Sequence, residues 1–214
     1  MIKLQGKIPR KIYVACSGGV DSMAALDFLR RNHEVTALYF NHQTTHGYEA
    51  RSLVMEYCRE HGLGFVTDSI RDTCPPGRSK EDYWREARYE FLEWFTRDNA
   101  TSLGEAVITC HHLDDCVETW IWSCMHGTGK IVPYSRGKII RPFRLTRKRE
   151  LELWADLKNV PYVQDPSNSD TAYTRNYIRH EMMPHVLKVN PGIYKTVKKK
   201  VVASYDEEVD KLGC

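Results

Sequence analysis

No apolar run in this 214-residue sequence approaches the roughly 20 residues that cross a bilayer. The opening Met1-Ile-Lys-Leu-Gln-Gly-Lys7 also lacks a signal-peptide core. The expectation is a cytoplasmic protein with no membrane partner. There is no Cys-x-x-Cys: the seven cysteines fall at irregular spacings, several inside apolar runs where a reduced thiol packs as a small hydrophobe. That pattern fits a reducing compartment. Cys110, His111, His112 and Cys116 do not have the spacing of a closed zinc site. No Walker A lysine accompanies the glycine-rich stretch near the start of the chain, and there is no internal repeat or low-complexity tract. Excess charge of one sign is missing too: the net charge is only +3, so a nucleic-acid partner has to be argued from where the basic residues fall.

What is present is an ordinary globular composition, 42% hydrophobic and 28% charged, enough for one well-buried domain with an appendage. Its organising stretch is Ser17-Gly-Gly-Val-Asp-Ser22. An apolar run, Ile12 to Cys16, precedes it and reads as a buried strand; from Met23 to Arg30 the apolar residues recur at helical spacing. A glycine turn between a strand and a helix N-terminus leaves free N–H groups and the positive end of the helix dipole facing the turn, an arrangement that holds phosphate. Ser17 and Ser22 add hydroxyls. Asp21 repels phosphate unless a cation lies between them, which points to magnesium.

Downstream, strands alternate with helices: Glu34–Asn41 extended, Tyr48–His61 helical, a strand opening at Phe65, a helix over 80–98, a strand over Ala106–Cys110 and a helix from near Asp114. This order predicts an α/β protein, a Rossmann-like parallel sheet with helices on both faces, followed by a small helical C-terminal extension. Residues 1–145 are expected to form the domain built around the glycine loop, with 146–214 packed on it. Thr146 is the expected N-cap of a helix reaching Asn159. A helix over Tyr173–Leu187 is expected to be interrupted at Pro184, a last helix to begin at Pro191, and the charged tail beyond Lys198 to fray.

Several side chains are candidates for chemistry. Asp115 and Glu118 share one helical face, as a metal-binding carboxylate pair or merely as acids favouring a helix N-terminus. Arg136, Lys138, Arg141, Arg144, Arg147, Lys148 and Arg149 make a basic run that reads either as a phosphate-backbone footprint or as a solvated face. Arg175 and Arg179, four apart beside Asn176, can fork around an anion or pair with an acid. Arg85 suits an i, i+4 pair with Glu81, and Trp84, Phe91, Trp94 and Phe95 read as core or partial core.

Taken in order, these motifs resemble a known family. Ser17–Ser22 resembles the pyrophosphate loop of the N-type ATP pyrophosphatases, a motif shared with NAD synthetases, GMP synthetases and tRNA thiolases. His111-His-Leu-Asp-Asp-Cys-Val-Glu-Thr119, His126-Gly-Thr-Gly129, Arg141-Pro142, Asp165-Pro-Ser-Asn168, Arg175-Asn-Tyr-Ile-Arg179 and the Glu81–Tyr89 helix are similar to the tRNA(Ile)-lysidine synthetases. Phe40-Asn-His42 replaces that family's usual His-x-Asn-His, and Cys116 stands where glutamine is usual. Relatives commonly continue into further carboxyl-terminal domains, so a short form is expected.

The resemblance implies an ATP-dependent ligase that adenylates the wobble cytidine of an isoleucine tRNA of CAU anticodon type. The enzyme then joins free L-lysine to C2, with AMP and pyrophosphate released. It implies ATP contacts at Ala15, Ser17, Gly18, Gly19, Val20, Asp21 and Ser22, and Mg2+ on Asp21 and Asp115. Glu118 would place the lysine ammonium or the metal, and His111 would touch the nucleotide. Arg85, Arg88, Arg175, Asn176 and Arg179 would face tRNA or phosphate, and a homodimer is conceivable. The competing readings are a tRNA 2-thiolation enzyme on the same fold, against which the lack of paired thiols counts, and an RNA-binding module without turnover.

Overall fold

The computed structural model describes residues 1–98 and 105–212. Its centre is a sheet in the order β3-β2-β1-β4-β6-β5. Strands β1 (Lys11–Ala15), β2 (Glu34–Asn41), β3 (Gly64–Ser69), β4 (Ala106–Ile108) and β6 (Ile139–Ile140) are parallel, and β5 (Ser135–Arg136) runs antiparallel to β6. The predicted Rossmann-like parallel sheet is therefore present. The β5–β6 hairpin is an addition, invisible in the sequence because two-residue strands carry no periodicity.

Both faces are covered. Against one lie α1 (Val20–Leu29), α2 (Thr45–Glu60) and α5 (Lys148–Lys158), whose Met23, Leu26, Val54, Leu151 and Ala155 join Ile12, Val14 and Ala37 in one core. Against the other lies α3 (Lys80–Asp98), where Tyr89, Phe91, Leu92 and Phe95 pack on Tyr13, Leu38, Val107 and Ile139. Trp94, expected in the core or partly in it, is 49% exposed. A third cluster joins α4 (Leu113–Met125) to α8 (Ile193–Leu212) through Val117, Ile121, Val197 and Val201.

Four local expectations are corrected. Thr146 does not cap α5: its hydroxyl donates to Lys3 O at 2.8 Å and accepts from Lys3 N at 2.9 Å, and Arg147 takes the cap position with its N–H on Glu150. Pro184 does not break its helix, because α6 (Thr174–Tyr177) passes through a π-turn (Ile178–Met182) into α7 (Met183–Val189). The wide turn, with Met183 N–H bonded to Ile178 O, accommodates a proline that lacks an N–H. Helix α8 starts at Ile193, two residues after Pro191, with the Asn190 side chain accepting from Gly192 N. The tail does not fray before Leu212, since Glu208 accepts the N–H groups of Tyr134 and Ser135 and so ties α8 to the hairpin. Gly213 and Cys214 lie outside the described residues. The six described cysteines are free, and no described helix is long and apolar enough to cross a membrane.

Candidate active site

In an open parallel sheet, ligands bind beyond the carboxyl ends of the strands where the strand order reverses. Here that point lies between β1 and β4, which are neighbours although 90 residues of chain separate their ends. The loops leaving these two strands carry the predicted motifs.

Leaving β1, the chain turns at Gly18 with φ +83°, a conformation that excludes most side chains; a Cβ there would also sit 3.0 Å from that of Ala50. Gly19 is the N-cap of α1 and offers no side chain, so the first N–H groups of the helix stay open to a ligand. Ser22 is not the free donor the sequence implied. Its hydroxyl donates to Gly19 O at 2.9 Å and accepts from Ser17 N at 3.1 Å, holding the loop closed, while Ser17 is exposed.

Leaving β4, His111 and His112 do diverge. His111 bonds Thr109 at 3.1 Å; burial drives its pKa down to about 3, which keeps it a neutral imidazole. His112 holds the N-cap position of α4, and its backbone N–H donates to Asp115 Oδ2 at 2.9 Å. The neutral ring accepts the Asp115 N–H at Nδ1, 3.2 Å away, and the charged ring turns that nitrogen into a donor toward the carboxylate. Its Nε2 lies 3.6 Å from Asp21 and its Nδ1 3.3 Å from Asp115. Burial opposes charge on this ring, but Asp115, then Asp21 and Asp114, outweigh it and raise the pKa to about 9. The imidazolium in turn lowers the pKa of Asp115 against the effect of burial. His112 thus bridges the two carboxylates that the sequence assigned to a metal.

The donor set suits a hard cation. Asp21 Oδ1 is buried without a hydrogen-bond partner. No cluster of three protein ligands occurs among the described residues, so a cation here would complete its shell with water and phosphate oxygens, as Mg2+ commonly does.

These groups open onto a cavity of about 380 Å³ lined by Ala15, Ser17, Asp21, Ser22, His111 and Asp115, with Arg88 and Arg175 also on its wall. Gly18, Gly19 and Val20 shape the loop without lining the cavity. Burial, then Arg85 and Arg175, lower the pKa of Arg88, marking a positive stretch of wall on the cavity that Asp21, Asp115 and Asp165 also line. His42, His46 and Asp165 line the cavity as well, though the sequence reading gave them no role. His42 was findable by topology alone, because it is the first residue after β2, the strand beside β1. Its ring stacks on Trp84 at 5.2 Å, its Nδ1 has no partner, and burial, aided by Arg88, lowers its pKa to about 4.

The description of a PP-loop domain matches residues 2–186. The chain belongs to the PP-loop domain family. It is similar to the tRNA(Ile)-lysidine synthase of Thermotoga sp. (strain RQ2), 32% identical over 211 residues, covering 91% of this chain and 49% of that protein. The corresponding synthase of Lactiplantibacillus plantarum is 31% identical, covering 94% of this chain and 46% of its own. The chain spans about half the length of the curated relatives it matches. Among solved structures, the U34-tRNA thiolase NcsA from Methanococcus maripaludis, with its 4Fe-4S cluster, superimposes with a TM-score of 0.72 at 14% identity, over 92% of this chain and 73% of that one. An NH3-dependent NAD synthetase from Campylobacter jejuni gives 0.52 at 14% identity, over 94% of this chain and 87% of that one. These structural likenesses show a common fold.

Within this PP-loop domain some predicted residues stand apart from the cavity. Glu118 and Arg179 are spent on each other, with Arg179 Nε and Nη2 donating to the two carboxylate oxygens at 2.7 and 2.9 Å. Arg175 and Arg179 therefore do not form a fork; only Arg175 reaches the cavity. Asn176 donates to Asp170 O at 2.9 Å and braces the preceding turn. Arg85 lies over the Tyr89 ring at 5.8 Å, and no ion pair joins it to Glu81 among the described residues. The basic run largely dissolves as a phosphate footprint. Arg141 and Arg144 are buried, donating to Pro133 O and Val132 O, Arg136 pairs with Glu93, and Arg147 pairs with Asp114.

The Glu118–Arg179 pair makes a stability prediction. Arg179→Met leaves a buried carboxylate without its partner and is expected to cost about 3 kcal/mol in urea unfolding. Adding Glu118→Gln should recover much of that loss. A single variant as stable as the wild type would refute the structural role.

Proposed function

We propose that this PP-loop domain is the catalytic part of an ATP-dependent tRNA-modifying ligase that converts the wobble cytidine of an isoleucine tRNA to lysidine in the cytoplasm. The observation carrying this reading is the convergence of the glycine loop, Asp21 and Asp115, and Arg88 and Arg175 on one cavity. The relatives' activity supports the choice of tRNA and lysine.

In the first step the cytidine O2 attacks the α-phosphate of ATP, and the bond to the β-phosphate breaks. Pyrophosphate departs on the open N–H groups of the glycine loop. Mg2+ held by Asp21 and Asp115 would neutralise phosphate charge there. In the second step the side-chain amine of lysine adds at C2, AMP leaves with the oxygen, and the amine gives up a proton. Arg88 and Arg175 offer charge to the AMP and RNA phosphates. His111, neutral at physiological pH, is a hydrogen-bonding contact and not a cation. Glu118 acts through Arg179, which also lies 3.8 Å from Asp115, and so positions the carboxylate instead of holding lysine directly. Cys16, Cys110 and Cys116, the thiols nearest the two loops, are held above the ordinary thiol range by burial, which disfavours thiolate there.

The test is pyrophosphate release from ATP in the presence of tRNA and lysine, omitting each in turn, with nucleosides of the product RNA analysed by mass spectrometry. Release requiring tRNA, and a lysine-modified cytidine requiring all three, is expected. Product formation indifferent to lysine would sink the amino-acid assignment.

A further inference from the structure

The glycine loop offers a phosphate chain only neutral donors, and its one charged residue, Asp21, has the wrong sign. Apart from Arg88 and Arg175 on the cavity wall, four cationic side chains among the described residues lie within 4.0 Å of the acids Asp21, Asp114, Asp115 and Glu118, and three are committed. Arg179 is held by Glu118 at 2.7 and 2.9 Å, Arg147 by Asp114 at 3.2 Å, and His112 is buried between Asp21 and Asp115. The fourth is Lys148. Its ammonium makes one long contact, 3.9 Å to Asp21 Oδ2, and its side chain is 30% exposed. Its backbone is fixed, however, as the first residue of α5, with its N–H donating to Asp114 Oδ2 at 2.8 Å. A tethered stem with an uncommitted ammonium beside the phosphate loop is the arrangement of a lysine waiting for an anion.

Resting on the ATP-dependent reading above, we propose that Lys148 binds the β- and γ-phosphates of the nucleotide and the pyrophosphate it becomes. It supplies from 127 positions downstream of Asp21 the lysine that the loop itself lacks. On binding, the ammonium exchanges Asp21 for phosphate oxygens, a stronger partner than a carboxylate 3.9 Å away. That exchange leaves Asp21, whose Oδ1 is already unpartnered, available to a cation.

The test is calorimetric binding of pyrophosphate, ATP and adenosine to the full chain with magnesium present, comparing wild type, Lys148→Ala and Lys148→Arg. Loss of one charge-assisted contact should weaken pyrophosphate and ATP binding by about tenfold or more in Lys148→Ala. Lys148→Arg should recover most of it, and adenosine binding should not change. Thermal unfolding of both variants should match the wild type, because the Asp114 bond uses the backbone. Pyrophosphate binding to Lys148→Ala within about twofold of wild type overturns the inference, as does an equal loss for adenosine. Wild-type protein that binds neither ATP nor pyrophosphate overturns the ATP-dependent reading itself, a distinct result.

Discussion

Asp115→Asn is expected to lower tRNA-dependent pyrophosphate release by about a thousandfold while leaving the protein folded. Asparagine keeps an oxygen for the His112 N–H, which Asp115 now accepts at 2.9 Å, so the start of α4 remains capped. What disappears is the negative charge facing His112 at 3.3 Å and Arg179 at 3.8 Å, and with it one of two oxygen donors for a hard cation. Asp115→Ala is the poorer test, because it also removes the acceptor of the His112 N–H, one half of the capping box, and adds a stability loss of about 1 kcal/mol to the loss of function. Release measured at saturating ATP, alongside urea unfolding, separates the two effects. An Asp115→Asn enzyme within tenfold of wild type would show that the carboxylate is a structural cap and nothing more.

The largest effect on stability is expected at Asp27, a residue outside the cavity. It is 1% exposed and joins three helices. Oδ1 accepts from Arg30 at 2.8 Å and from the Tyr57 hydroxyl of α2 at 2.7 Å, while Oδ2 accepts from Arg31 and from Trp154 Nε1 of α5 at 2.9 and 2.8 Å. Asp27→Ala removes the shared acceptor of four donors, the Trp154 N–H and Tyr57 hydroxyl among them, and should cost about 3 to 5 kcal/mol. Burial works against the charged form, but the bonds from Tyr57, Arg31, Trp154 and Arg30 overcome it and bring the pKa down to about 2. A carboxyl whose pKa is lowered on folding contributes its stability above the unfolded value, near 4, and loses it as pH falls toward the folded value. The wild type should therefore lose about 2 kcal/mol between pH 4 and pH 2 through this group, and Asp27→Asn should flatten that part of the curve. Urea denaturation across this pH range decides the matter, and an unchanged slope in Asp27→Asn would refute it.

Local patterns in the chain were sufficient for much of the design. Strand β2 and helix α3 are legible to the residue because their apolar spacing and flanking turns are long enough to carry a period. The glycine loop and the residues after β4 were also legible, since the chemistry of a phosphate turn is written in contiguous residues and topology places both loops at strand ends. The assembly of side chains distant in sequence was not. Whether Arg179 met an anion or an acid depended on a π-turn that aims it at Glu118, 61 positions away, and both outcomes agreed with its spacing. Arg141 and Arg144 looked like surface cations because charge density along a sequence does not report burial; their guanidiniums instead satisfy carbonyls of the segment before β5.

The sequence by itself therefore determined the alternating strands and helices and the glycine turn between β1 and α1, because each rests on interactions within a few residues. Only the tertiary structure decided which cations are spent and which are free. It buried His112 between Asp21 and Asp115, paired Arg179 with Glu118 and left Lys148 beside the loop, because an ion pair is settled by distance and desolvation in space, neither of which is encoded in spacing along the chain.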